Sequence, residues 1–328
     1  MRQIPIIMNF GTKLNPNKKL LPAIDIGVFM NRILIYRISE KDSPCTVESF
    51  LKARGYSRQI IIQLKKNSDS IKANGRWAYI KTMLHTGDEL MIFLEEPQSS
   101  ERILPVPLPL SVVYEDEDIL VVDKPADMPV HPSINNYDNT LANAVAYYYQ
   151  SDKEPFVFRC INRLDRDTTG LLIVAKNALS ASILSAQMKE RQIHRTYLAL
   201  CDGTLPSSQG TIDAPIARRE GSAIERCVDF ENGERAVTHY RVLETCSQVT
   251  LAELRLETGR THQIRVHMQY LGAPLMGDYL YHPNFTRISR VALHSSALEF
   301  IHPITGKPMR FHVPLPEDME KARQPRRI

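Results

Sequence analysis

The stretch from Cys160 to Lys176, CINRLDRDTTGLLIVAK, constrains the fold of this chain more than any other. Its second half, Leu171-Leu172-Ile173-Val174-Ala175, is an unbroken apolar run, too short for a typical helix and rich in branched residues, so it reads as a buried strand. The polar run before it then forms a loop at the strand's mouth, held by Gly170. Loops fixed by a buried strand are common seats of chemistry. Asp165 sits there between Arg163 and Arg166, a setting that suits a nucleophile or base. Read without further context, the same residues also fit a surface turn with an ion pair.

Asn162 to Leu172, NRLDRDTTGLL, resembles the signature of RluA-type pseudouridine synthases, (H or N)RLDxxTSGLL with a catalytic Asp. Asn162 stands where many members have His, and Thr169 where many have Ser. Two further stretches extend the resemblance. Arg195-Thr196-Tyr197 matches the family's (K or R)xY, and Gly259 to His267, GRTHQIRVH, matches a third motif. The likeness covers roughly residues 32 to 318.

The resemblance implies an RNA pseudouridine synthase, an isomerase that breaks the bond from ribose to uracil nitrogen and remakes it to ring carbon five. Asp165, Tyr197 and Arg265 would be its catalytic residues, with Arg265 paired to Asp165 and Tyr197 beside the flipped base, stacking on it and assisting a proton transfer. Arg163 would fill the stack that the base leaves, and Ile264 would form the aliphatic wall under the uracil. Asn162, Arg166, Arg260 and His262 join them as candidate substrate contacts. The implied fold is α+β, a mixed and mostly antiparallel sheet with flanking helices. The reaction has no net redox change and no energy input, so no cofactor is expected. His262 and His267 are five apart, a spacing that suits zinc on neither a strand nor a helix face, and no metal is expected.

Ahead of this domain, Thr46 and Ser57 are plausible caps of two short helices, followed by Asn74-Gly75 and Gly87-Asp88 turns and a strand over Glu89 to Leu94. This order resembles an S-four-type RNA-binding module. Its exposed bases, Arg58, Lys65 and Lys66 foremost, would contact phosphates. The expected organisation is an extension over 1–30, with Met30 as the true start and 1–29 poorly ordered, the RNA-binding module over 31–97, a Pro-rich linker over 98–111, the catalytic domain over 112–318 and a basic tail over 319–328, disordered from Lys321 to Ile328. Within the catalytic domain, a hairpin is expected from Val112 to Pro125, helices over Asn139 to Gln150 and Ala178 to Gln192, and a loop-rich segment over 203–235.

A net charge of only +4 over 328 residues means that any nucleic-acid footprint must come from clustering. Residues 159 to 195 supply one: Arg159, Arg163, Arg166, Lys176, Lys189, Arg191 and Arg195 against Asp165, Asp167 and Glu190. Five widely spaced cysteines without a C-x-x-C pair suit a reducing cytoplasm. The expected partner is RNA, ribosomal RNA ahead of transfer RNA, bound by a monomer away from any membrane. A non-catalytic RNA-binding or ribosome-assembly factor and a sugar hydrolase using Asp165 with Asp167 are the competing readings.

Overall fold

The computed structural model describes residues 32–96, 100, 103–150 and 156–324; the expected start at Met30 and the extension before it lie outside them. The first module is framed by β1 (Arg32–Arg37) and β6 (Glu89–Leu94), paired antiparallel along their length. Between them come β2 (Cys45–Thr46), α1 (Val47–Ala53), α2 (Arg58–Leu64), β3 (Ile71–Ala73), β4 (Arg76–Trp77) and β5 (Met83–Leu84). Thr46 accepts from Ser49 N and Ser57 from Ile60 N, so each helix start has one orphan donor satisfied. Asn74 and Gly75 have φ of 51° and 75°, the pair of left-handed residues that a two-residue I′ hairpin requires. The helices bury Val47, Phe50, Leu51, Ile60, Ile61 and Leu64 over the sheet β1-β6-β3-β4, while Arg58, Lys65 and Lys66 stay exposed.

The rest of the chain adds β7 (Ser111–Glu115), β8 (Ile119–Lys124), α3 (Leu141–Tyr148), β9 (Arg159–Cys160), β10 (Thr169–Ala175), α4 (Ala178–Lys189) and β11 (His194–Asp202). After these come β12 (Gln209–Asp213), β13 (Ile216–Arg218), β14 (Arg226–Val228), β15 (Val237–Cys246), β16 (Val249–Leu256), α5 (Gln263–Tyr270), β17 (Leu293–Ile301), β18 (Pro308–His312) and α6 (Glu317–Arg323). A ten-stranded sheet runs β12-β15-β16-β11-β17-β10-β8-β7, with β9 on β10 and β18 on β17. Its one parallel pair is β10 with β17; the others are antiparallel.

β10 is covered on both faces, which is why its sequence shows no polar alternation. Leu172 and Val174 face a core that includes Leu141 and Val145 of α3 and Ile264 and Met268 of α5. Leu171, Ile173 and Ala175 face Leu184 of α4 with Leu298 and Phe300 of β17. Gly170 lets β10 meet β17: its φ is 110°, and a Cβ there would lie 2.3 Å from the carbonyl oxygen of Ser295. The first module docks on this body. Leu179 of α4 enters its core, Ser182 Oγ donates to Gly55 O at 2.9 Å, Arg32 pairs with Asp118 at 3.0 Å, and Arg159 with Glu96 at 2.8 Å.

Residues 203–235 are loop-rich as expected, with the short strands β12, β13 and β14 set between the loops. Two expectations need correction. The tail expected to be disordered opens as α6, with Met319 and Ala322 buried and Asp318 paired to Arg290; 325–328 lie outside the described residues. The helices expected over 139–150 and 178–192 are shorter, capped by Thr140 and Asn177 and ending at Tyr148 and Lys189. In the linker, residues 103–110 carry Ile103, Leu108 and Leu110 onto the core, and Asn143 Nδ2 donates to Leu104 O at 2.7 Å.

Candidate active site

The loop between β9 and β10 is held by its main chain. Lys124, at the end of β8 and 1% exposed, donates from Nζ to the carbonyls of Pro125, Met128 and Arg166 at 2.7, 2.8 and 2.8 Å. Burial pulls its pKa down to about 7, against the opposing charges of Asp167 and Asp165. On the far side, Arg290 Nη1 reaches the carbonyls of Asp167 and Val291 at 3.4 and 2.9 Å, while its Nε and Nη2 bind Asp318. Thr168 N donates to Asp165 O at 3.2 Å and closes the turn. Asp165 is thus fixed in place by the backbone around it.

Arg265, in the first turn of α5 and 2% exposed, comes to Asp165 from across the sheet. Its Nη1 donates to Asp165 Oδ2 at 3.1 Å. The rest of the guanidinium is taken by Asp278, with Nε to Oδ2 at 2.8 Å and Nη2 to Oδ1 at 2.7 Å. Asp278 is fully buried and its Oδ1 also accepts from the Leu280 and Tyr281 amides. Burial alone would lower the Arg265 pKa, but Asp278 and then Asp165 outweigh it and raise it, so the cation is permanent. Only Oδ2 of Asp165 is engaged among the described residues, and the side chain is 31% exposed. Oδ1 is therefore left to meet a ligand.

Asp165 lines a cavity of about 80 Å³ with Arg163, Leu164, Arg195, Tyr197, His262, Ile264 and Arg265 among its walls. The cavity opens into a groove of about 920 Å³ lined by Pro129 to Ser133, Arg163, Arg166, Lys189, Arg191, Arg195 and Arg260 among others. Tyr197, on β11, is 4% exposed; burial pushes its phenol up, Arg195 offsets part of this and Asp165 adds to it, so it is neutral near pH 7. Ile264 is 4% exposed and supplies an aliphatic surface.

His262 caps α5 with φ of 58°, and its ring is oriented by Tyr281. The Tyr281 hydroxyl accepts from Arg226 N at 2.9 Å and lies 2.9 Å from His262 Nδ1. Burial pushes that phenol up to about 12, so it keeps its proton near pH 7. Burial also pushes His262 down, with Asp165 opposing and Arg265 reinforcing, and its Nε2 lies 3.9 Å from Asp165 Oδ2. His267 has no place here; it is buried between Thr238 Oγ1 and Ala214 O.

The loop, β11 and α5 thus bring Arg163, Asp165, Tyr197, His262, Ile264 and Arg265 to one cavity, and Arg166 and Arg260 to the groove beside it. Asn162 also borders the groove, and its side chain has a structural role. It is 3% exposed, its Oδ1 accepts from Ile173 N at 2.9 Å and its Nδ2 donates to Leu171 O at 3.3 Å, so its amide ties the loop to β10. The basic cluster is also less free than its composition suggests. Arg159, Arg166, Lys176 and Arg191 pair with Glu96, Asp167, Glu115 and Glu257, and Arg260 pairs with Glu234. Among the described residues, Arg163, Lys189 and Arg195 have no carboxylate partner. The sequence placed Arg195 only in the basic cluster and the (K or R)xY motif, and assigned no site role to Lys124, Asp278 or Tyr281. One group outside the site, Asp116, Asp118 and His302, could geometrically hold a metal, but Arg32 and Asn177 bind Asp118 and His302 binds Asp116.

A sheet of this topology, with an Asp held by a buried Arg in a basic groove, suits an enzyme acting on a polyanion. Residues 118–270 match the family model described as RNA pseudouridylate synthase. The chain is 42% identical over 276 residues to the uncharacterized RNA pseudouridine synthase YjbO of Bacillus subtilis, covering 84% of this chain and 97% of that protein. It is 45% identical over 233 residues to ribosomal large subunit pseudouridine synthase D of Zymomonas mobilis, covering 66% of this chain and 72% of that protein. Among solved structures, human RNA pseudouridylate synthase domain containing 1 matches with a TM-score of 0.53 and 32% identity, covering 63% of this chain and 83% of that one. The chain belongs to the RNA pseudouridine synthases of the RluA type, and is an enzyme that isomerises uridine in RNA. No helix among the described residues is long and apolar enough to cross a membrane.

Proposed function

We propose that the substrate is large-subunit ribosomal RNA and that Asp165 attacks the sugar of a uridine flipped into the cavity. The observation that carries the chemistry is the pair at its wall: Oδ2 of Asp165 on Arg265 at 3.1 Å, and Oδ1 without a hydrogen-bond donor among the described residues. A stacked uridine cannot present both its ring and its anomeric carbon, so it must leave the helix, at a cost of a few kcal/mol. Arg163, exposed at the mouth and without a carboxylate partner among the described residues, supplies a flat cation to fill the vacated stack. The base then lies on Ile264 beside Tyr197. Asp165 either bonds the anomeric carbon or takes the ribose 2′ proton; both routes free the uracil to turn so that its ring carbon five faces the sugar. Once the new bond forms, the proton on that carbon must leave, and Tyr197 is the polar group placed to assist it. Arg265, locked by Asp278, keeps the carboxylate oriented throughout.

The ribosomal choice is supported by the name carried by the Zymomonas relative and by the first module, whose Arg58, Lys65 and Lys66 are exposed. On this reading the protein works as a monomer in the cytoplasm, where its five unpaired cysteines remain reduced. Release of tritium from RNA labelled at uridine ring carbon five, with ribosomal and transfer RNA in separate reactions, tests it. Release from ribosomal RNA that vanishes in Asp165→Asn, with RNA binding retained, is the expected result. Release confined to transfer RNA would overturn the substrate, and substantial turnover by Asp165→Asn would overturn the nucleophile.

A further inference from the structure

Arg195 lies two residues before Tyr197 on β11, so both side chains leave the strand on the same face. That row continues through Ala199 and Cys201 into the core, and Arg195 is its outermost member. It lines both the cavity and the groove, which places it at the threshold between them. Its Nε is buried and makes no hydrogen bond. Among the described residues no carboxylate lies within ion-pair distance, whereas Arg166, Arg191 and Arg260 beside it are all neutralised. Leaving a buried guanidinium nitrogen without an acceptor is costly, so an acceptor brought by the ligand would be rewarded there. The backbone facing the guanidinium is Gly259, where an added Cβ would already lie 3.6 and 3.7 Å from its two terminal nitrogens. Glycine leaves that side open.

We propose that Arg195 binds the phosphodiester adjoining the uridine in the cavity, which sets how deep the sugar sits against Asp165. The inference rests on the uridine reading above. With the base inward on Ile264 and Tyr197 and the sugar at Asp165, the phosphate attached to that sugar is the nearest anion and falls at the threshold. A planar guanidinium matches two phosphate oxygens, and Nε of this one is without an acceptor among the described residues while the side chain also touches Tyr197. Arg163, across the mouth, is committed to the vacated stack, and Lys189 lines only the groove.

The test uses a short synthetic RNA containing the uridine mapped by tritium release, and the same RNA with one uncharged methylphosphonate placed 5′ or 3′ of that uridine. Binding is measured in Asp165→Asn protein, with and without Arg195→Gln. At one of the two positions, neutralising the phosphate should weaken binding about tenfold or more, Arg195→Gln should weaken binding to the unmodified RNA equally, and the two losses should not multiply. Arg195→Lys, which keeps the charge without the fork, gives the same cycle should the Gln variant unfold. Losses that multiply at both positions, or unchanged binding by Arg195→Gln, would overturn the inference. Absence of turnover by the unsubstituted protein would instead strike the uridine reading.

Discussion

Replacing Asp278 by Asn tests whether the active carboxylate depends on a second one that never meets substrate. The amide has nearly the same shape, but Oδ2 of Asp278 receives Arg265 Nε and Oδ1 receives Nη2 and the amides of Leu280 and Tyr281. Whichever oxygen becomes NH₂ therefore faces a donor. Removing one partner of a buried ion pair costs about 3 to 5 kcal/mol, a large share of the 5 to 15 kcal/mol that holds a typical domain. Freed from Asp278, Arg265 can turn, and a misplacement on the order of 1 Å at Asp165 lowers kcat about a hundredfold. Urea unfolding and tritium release read the two effects. The decisive measurement is a cycle with Arg265→Met: if Asp278 acts through Arg265, the double variant recovers stability relative to Asp278→Asn, because the uncompensated cation is gone. An additive cycle, or Asp278→Asn with kcat within about twofold of the parent, refutes the reasoning.

Gly170→Ala should yield no folded protein at 37 °C, as judged by thermal unfolding, since φ is 110° and the new methyl would lie 2.3 Å from Ser295 O. Normal folding would mean that β10 and β17 can separate without loss. Lys124→Met removes three hydrogen bonds to carbonyls around the loop and should lower kcat at least about tenfold while RNA affinity stays within twofold. Affinity falling in step with kcat would show that Lys124 supports the whole groove rather than the position of Asp165. Converting Arg58, Lys65 and Lys66 together to Gln should reduce the slope of log binding constant against log salt by about 2, at roughly 0.7 per lost contact on single strands. An unchanged slope would remove the first module from the RNA footprint.

The sequence made some of this legible and hid the rest for physical reasons. β10 could be read because burial on both faces leaves an unbroken apolar run, and the Asn74-Gly75 hairpin because its backbone demands those residue types. The approach of Arg265 to Asp165 was reached only through resemblance, since a hundred positions separate them and no local pattern encodes it. Asp278 and Lys124 went unassigned for a related reason. One looks like a turn residue and the other like the end of a strand, and each takes its role from acceptors or donors contributed by distant segments. The structural part that Asn162 plays was hidden in the same way, since its two amide bonds run to the backbone of β10.

Lys124 and Arg290 grip the Asp165 loop by the carbonyl oxygens of Arg166 and Asp167, and by nothing in those two side chains. The loop's shape is therefore insulated from the spelling of position 166. That position can be rewritten without moving the carboxylate, as long as the new residue tolerates the same backbone, whereas the Asp167 charge helps to keep Lys124 a cation. Arg166 lines the groove, so its position is a natural dial for retargeting such an enzyme to a different RNA, with the chemical step left untouched.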